Sequence, residues 1–136
     1  MRVSTASGDR SAGTAIYYLL VPGLFSALHR LPGEEVFHFY LGDPVEMLQL
    51  HADGSSRVVV IGPDLGAGME PQLVVPGGVW QGCRLVEGGR YALMGTTMSP
   101  GFDPKDFELG ARDSLVAAYP GERERITGLT APVTNR

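Results

Sequence analysis

Ser26-Ala-Leu-His-Arg-Leu-Pro-Gly-Glu-Glu-Val-Phe-His-Phe-Tyr-Leu-Gly42 decides how this chain is read, together with Pro71-Gln-Leu-Val-Val-Pro-Gly-Gly-Val-Trp-Gln81. Each stretch is a pair of β-favouring runs broken by a Pro-Gly or Gly-Gly turn. Glu35 to Leu41 is the clearest strand. Simple alternation puts Glu35, Phe37, Phe39 and Leu41 on one face and Val36, His38 and Tyr40 on the other.

Outward from these, Thr14–Val21, Phe25–Leu31, Val45–His51, Arg57–Ile61, Pro71–Val75, Val79–Val86 and Tyr91–Met98 read as further strands. They are separated by Pro22-Gly23, Pro32-Gly33, Asp53-Gly54, Gly77-Gly78 and Gly88-Gly89, which are turn signals. The Gly-rich stretch from Gly62 to Met69 has neither period, and it lacks the Lys and the strand-to-helix setting of a phosphate loop. Phe107 to Tyr119 has a helical rhythm interrupted by Gly110, predicting one or two short helices. Residues 1–13 read as a flexible arm, 14–119 as a barrel with a C-terminal helix, and 120–136 as a polar tail with room for one more helical turn.

Composition narrows the class. With 136 residues, 19 Gly and 10 Pro, the chain has many turns and is long enough to bury one core without staples. Eight or nine short strands fit a sandwich or barrel of two Greek keys. A net charge of −4 offers no basic face for nucleic acid. Apolar runs are too short to span a bilayer, and the N-terminus has no export-signal pattern, so a cytoplasmic location is expected. The single cysteine, Cys83, excludes an internal disulfide and a multi-thiolate zinc site, and reads as a buried, inert thiol.

The two opening stretches resemble the two cupin motifs. In the first, histidine precedes a Glu (Glu35) that lies seven residues before a Gly (Gly42); in the second, Pro76 and Gly78 match but the histidine position reads Gln81. Thr14 to Leu20, Ser26 to Arg30, Val75 to Gln81 and Pro100 to Leu109 complete a resemblance to a branch of small single-domain cupins of unassigned function. The resemblance implies an all-β cupin jelly-roll barrel with a short C-terminal helical segment, a pocket at one mouth and a homodimer. Members of that branch usually carry an extra segment with His-Pro-Glu-Gly-Gly before the first strand, so the resemblance implies that this sequence starts after that point or has lost it.

What the resemblance implies for chemistry falls on His29 and Glu35, the pair that points into the barrel in cupins. With two further histidines such a pair holds iron, nickel, manganese or zinc. Here the second histidine falls at Arg30 or Leu31 and the last at Gln81, so a metal, if held, would rest on His29, Glu35 and Gln81. Two strong donors and an amide oxygen make a weak set, and no cofactor is expected. Without a metal, His29 and Glu35 suit general acid–base catalysis. The expected function is a small-molecule isomerase, epimerase or lyase moving protons on a carbonyl-containing or sugar-like metabolite. Phe37, Phe39 and Trp80 would form the apolar wall, and Gln72 and Gln81 would orient the ligand. Tyr40 is a weaker counterpart of the Tyr that metal-free epimerases use, since alternation turns it away from Glu35; His38 reads as a sheet-packing or interface residue. The alternatives are a metal-dependent dioxygenase-like cupin and a non-catalytic ligand-binding one.

Overall fold

The computed structural model describes residues 1–6 and 8–131. The β-favouring runs become strands β1 (Arg2–Thr5), β2 (Gly8–Ser11), β3 (Thr14–Leu20), β4 (Phe25–Arg30), β5 (Glu35–Gly42), β6 (Val45–Leu50), β7 (Ser56–Ile61), β8 (Gln72–Val75), β9 (Trp80–Leu85), β10 (Ala92–Met98) and β11 (Glu108–Leu109). Helices α1 (Arg112–Ala118) and α2 (Arg123–Gly128) follow. The ladders are antiparallel and form two main sheets, ordered β3-β10-β5-β8 and β11-β4-β9-β6-β7. Their inner faces pack into one apolar core that includes Phe37, Leu73, Val75 and Met94 from one sheet and Val45, Met47, Ile61 and Cys83 from the other. This is the jelly roll implied by the motifs. Each large side chain taken fully into such a core contributes ~1.5–3 kcal/mol relative to exposure.

The Gly77-Gly78 turn uses its two glycines for different reasons. Gly78 has φ 80°, a left-handed backbone that disfavours a Cβ. Gly77 is needed for space: a Cβ there would run into the Pro32 carbonyl. The Gly78 amide donates to the Leu31 carbonyl at 2.8 Å. The two motif turns are therefore packed backbone to backbone, and this junction fixes the β4–β5 connection against the β8–β9 connection.

Two β-bulges break the simple alternation. In β5, Leu41 pairs with Leu93 but Phe39 pairs with Met94, leaving Tyr40 as an extra residue. The pleat changes phase there, so Leu41 is 57% exposed rather than on the Glu35 face. In β4, Ser26 pairs with Cys83 while His29 pairs with Gln81, so three steps along β4 match two along β9. The extra residue lets Ser26 and His29 both be buried on the barrel side. Leu28 turns outward, where Gly82 leaves room for its side chain.

The outer face of the five-stranded sheet is covered by α1 and α2. Leu28, Leu48 and Leu50 pack there with Leu115, Ile126 and Leu129, flanked by Trp80, Val116 and Tyr119. Arg112 ties the segment down, donating to the Thr127 and Thr130 carbonyls and to the Thr130 hydroxyl. The stretch read as a polar tail thus carries a buried face as far as Thr130, and positions 132–136 lie outside the described residues. The stretch read as an arm pairs into the β1–β2 hairpin. It is docked by Arg10, whose Nη1 donates to Asp106 at 2.8 Å and to the Gly101 carbonyl at 3.1 Å. Among the described residues no helix is long and apolar enough to cross a membrane.

Candidate functional site

The apolar core fills one end of the barrel and leaves the other hollow. A cavity of about 370 Å³ opens there between the two sheets. Thr14, Ile16 and Tyr18 of β3, Glu35 and Phe37 of β5, and Thr96 and Met98 of β10 form one wall. Phe25, Ser26, Ala27 and His29 of β4 form the other, and Phe102 and Phe107 stand at the mouth. His29 and Glu35, assigned to one space from sequence, line this single cavity from opposite sheets.

His29 is 8% exposed, and two contacts fix its ring. It stacks on Phe107 with centroids 4.8 Å apart and planes 19° from parallel. Its Nδ1 lies 2.8 Å from the Ala27 carbonyl oxygen. A carbonyl can only accept, so Nδ1 carries the hydrogen and donates. In the neutral ring Nε2 then holds the lone pair, the proton-accepting tautomer. The β4 bulge creates both features, turning His29 inward and leaving the Ala27 carbonyl within reach.

Glu35 faces His29 across the barrel from β5. Its Oε1 accepts from Gln81 Nε2 at 2.9 Å. Gln81 is 2% exposed, and its own Oε1 is buried without a hydrogen-bond partner. Gln81 lies beside the cavity rather than in its wall, next in register to the equally buried Gln49. Among the described residues Glu35 has no Lys or Arg partner.

These donors fit a divalent ion poorly. One imidazole and one carboxylate line the cavity, and the amide that stands where a third ligand belongs turns its N–H₂ toward that carboxylate. Arg30 projects away over the Trp80 ring, its guanidinium carbon 4.4 Å from the centroid, and Leu31 is apolar. Among the described residues no three His, Cys, Asp or Glu side chains cluster as a metal site would require.

The third ionisable group of the cavity, beside the hydroxyls of Thr14, Ser26 and Thr96, is Tyr18, which the sequence reading did not single out. Burial raises its phenol pKa, a Ser26 hydrogen bond partly offsets this, and nearby Cys83 and Glu35 raise it further. The phenol therefore stays protonated and can donate. Burial, with Glu35's charge behind it, also pushes the Cys83 thiol up to about 12. That keeps it an unreactive thiol, buried in the core as the sequence reading expected. Tyr18 was findable from sequence. In Thr14–Leu20 the even positions form one face, and Tyr18 shares it with Leu20, which is buried in the core.

Of the expected wall, Phe37 lines the cavity, but three assignments need correction. Phe39 packs against the apolar core and not in the cavity wall. Gln72 is exposed, opposite His38 on the outer face, because its neighbours Leu73 and Val75 take the inward positions. Trp80 points outward under the helices with Leu28 and Leu115, since Gln81 and Cys83 hold the inward phase of β9. Tyr40 and His38 sit on the outer face, as alternation predicts; His38 Nε2 lies 2.9 Å from the Thr97 hydroxyl, and the two rings are nearly parallel.

Comparison with known proteins agrees with this architecture. The family model described as "Cupin superfamily (DUF985)" matches residues 2–110. A hypothetical protein from Leishmania major is 30% identical, with TM-score 0.89, over 97% of this chain and 84% of that one. A protein from Shewanella oneidensis is 34% identical, with TM-score 0.86, over 98% and 84%. More distantly, a dTDP sugar isomerase from Desulfovibrio desulfuricans has 16% identity and TM-score 0.64 over 85% and 82%, a likeness of fold alone. No curated protein matches the chain.

Proposed function

Because this chain belongs to the DUF985 family of the cupin superfamily, where fold alone does not fix a reaction, we propose that it is a proton-transfer isomerase, epimerase or lyase acting on a carbonyl compound in the barrel cavity. The observation that carries this reading is the tautomer of His29: its Nδ1–H is committed to the Ala27 carbonyl, so Nε2 is the base. His29 Nε2 takes the proton from the carbon next to the substrate carbonyl. The electron pair moves onto the carbonyl oxygen, where the Tyr18 hydroxyl, held protonated by burial, donates a hydrogen bond to the developing enolate. Glu35 stabilises the imidazolium that forms. Returning the proton to the other face gives an epimer, returning it to the neighbouring carbon gives an isomer, and loss of a β-substituent gives a lyase product. The distant likeness to a dTDP sugar isomerase is compatible with chemistry of this class.

The experiment is solvent-isotope exchange. The protein is incubated in D₂O with a panel of small ketones and aldehydes, and deuterium at the α-carbon is followed by NMR. Exchange above the buffer rate, lost in His29→Ala and reduced ~10²-fold or more in Tyr18→Phe, is the expected result. Ligand binding with no exchange across the panel would replace this reading with a non-catalytic binding module.

We also propose that two copies pair through the outer face of the four-stranded sheet. The helices cover the outer face of the other sheet, whereas here Tyr17 (80% exposed), Leu19, Tyr40 and Val74 are open. An exposed apolar patch of this kind marks an interaction surface. Light scattering on wild type and Tyr17→Arg tests it: a dimer and a monomer, respectively, are expected, and a monomeric wild type contradicts it.

A further inference from the structure

The charges around the cavity carry information about what can enter it. Among the described residues, no Lys or Arg lines the cavity; its ionisable side chains are Glu35, His29 and Tyr18. The cations nearest these elements are turned elsewhere: Lys105, between the mouth residues Phe102 and Phe107, pairs with Asp103, and Arg84 of β9 lies against Gly128 of α2. Arg10 bonds Asp106 in a neighbouring hollow beside the β1–β2 hairpin. Arg30 pairs with Glu108 over Trp80. Arg57 pairs with Glu70, and Arg125 with Glu46 and Glu122. His29 spends its Nδ1 hydrogen on backbone, and Glu35 takes its one hydrogen bond from an uncharged amide. A phosphate or carboxylate in this space would meet a carboxylate in a partly desolvated barrel with no compensating cation, an arrangement of like charge that costs affinity. The rest of the lining is mostly apolar, with only the uncharged hydroxyls of Thr14, Ser26 and Thr96 added: Phe25, Phe37, Phe102 and Phe107 surround a space large enough for one ring and a short side chain.

We infer that the cavity selects a substrate with an apolar, ring-sized body, one carbonyl or hydroxyl group and no anionic group; phosphorylated and carboxylated metabolites are rejected by Glu35. This deepens the proton-transfer reading and rests on it for the carbonyl, but the selection against anions follows from the lining alone.

The test uses two probes of nearly equal shape, phenylacetone and phenylacetate, titrated into the intact protein by calorimetry or NMR at about pH 8, above the usual imidazole range. Phenylacetone is expected to bind with Kd on the order of 1 mM, as suits a fragment of its size, and phenylacetate at least ~10-fold more weakly. Glu35→Gln keeps an acceptor for Gln81 and removes the charge, and should bring the two probes within ~3-fold of each other. Equal or tighter binding of phenylacetate to the wild type overturns the inference, as does failure of both probes to bind. A preference unchanged in Glu35→Gln overturns the role given to Glu35. Deuterium exchange in bound phenylacetone is scored separately. Its absence beside the expected preference defeats the proton-transfer reading and leaves the ligand class standing. Exchange in an anion-binding protein does the reverse.

Discussion

Replacing Gly77 by alanine should damage this protein more than replacing its neighbour Gly78, although Gly78 has the unusual backbone. At Gly78, φ is 80° and a Cβ meets nothing within 4 Å. The cost is therefore the left-handed conformation alone, ~1–2 kcal/mol. At Gly77 a Cβ would lie 2.9 Å from the Pro32 carbonyl carbon and nearer still to its oxygen. Neither neighbour is a flexible side-chain tip, so the two turns must separate. That strains packed backbone, at ~1–3 kcal/mol, and stretches the 2.8 Å bond from the Gly78 amide to the Leu31 carbonyl, at ~1 kcal/mol. The sum is ~2–4 kcal/mol for Gly77→Ala. The gain from a stiffer unfolded chain is common to both variants and cancels in the comparison. Urea unfolding followed by circular dichroism measures both. The midpoint for Gly77→Ala should fall further than that for Gly78→Ala with an unchanged slope. If Gly77→Ala is as stable as Gly78→Ala, the packing of the two motif turns described above is wrong.

Three other outcomes follow from the packing and the site. Ile126→Ala, which empties a fully buried position between the helices and the sheet, should cost ~2–5 kcal/mol in thermal or urea unfolding; a loss under ~1 kcal/mol would mean that the C-terminal segment is not part of the fold. The Cys83 thiol, pushed up to about 12, ionises in the unfolded chain near ~8.5. Between those values the unfolded state binds fewer protons, so stability declines as pH rises, by ~2 kcal/mol at pH ~10. Cys83→Ala should remove most of that decline between pH ~7.5 and ~10 in urea midpoints, apart from a share of the same sign from Tyr18, and an unchanged decline would contradict the assignment. Elemental analysis of protein purified without chelator should find well under one iron, nickel, manganese or zinc per chain, given the donor set of His29, Glu35 and Gln81; one ion per chain would restore the metal-dependent alternative.

Much of the fold was legible because its punctuation is made of glycine and proline. Gly42, Gly54, Gly78 and Gly88 all have positive φ, so the turn signals in the sequence mark real backbone requirements. His29 and Glu35 were legible through the motif resemblance, not through periodicity: counted from the buried Ser26, an unbroken pleat in β4 would send His29 outward. The bulge that turns it inward leaves no mark in side-chain pattern, since it depends on how β4 registers with β9. The same holds for Leu41 beyond the bulge at Tyr40. Trp80 and Gln72 failed for a different reason. Each is adjacent to an inward-facing residue, and the strand period of two puts it on the other side. Phe102 comes from a segment after β10 with no period to predict it, and Phe107, read as the start of a helical rhythm, instead precedes β11, with α1 beginning only at Arg112. The helical cap was under-read because Ile126 and Leu129 are isolated apolar residues in a polar tail, and their partners Leu28, Leu48 and Leu50 lie far away in sequence.

The proposed chemistry requires His29 and Glu35 to open from opposite sheets onto one shared cavity. Intermolecular nuclear Overhauser effects from phenylacetone test this most directly. One bound molecule should show contacts to the His29 ring of β4 and, at the same time, to the Phe37 ring and Glu35 methylenes of β5. Contacts confined to one of these strands, or to Tyr17 and Tyr40 on the outer face, would contradict it.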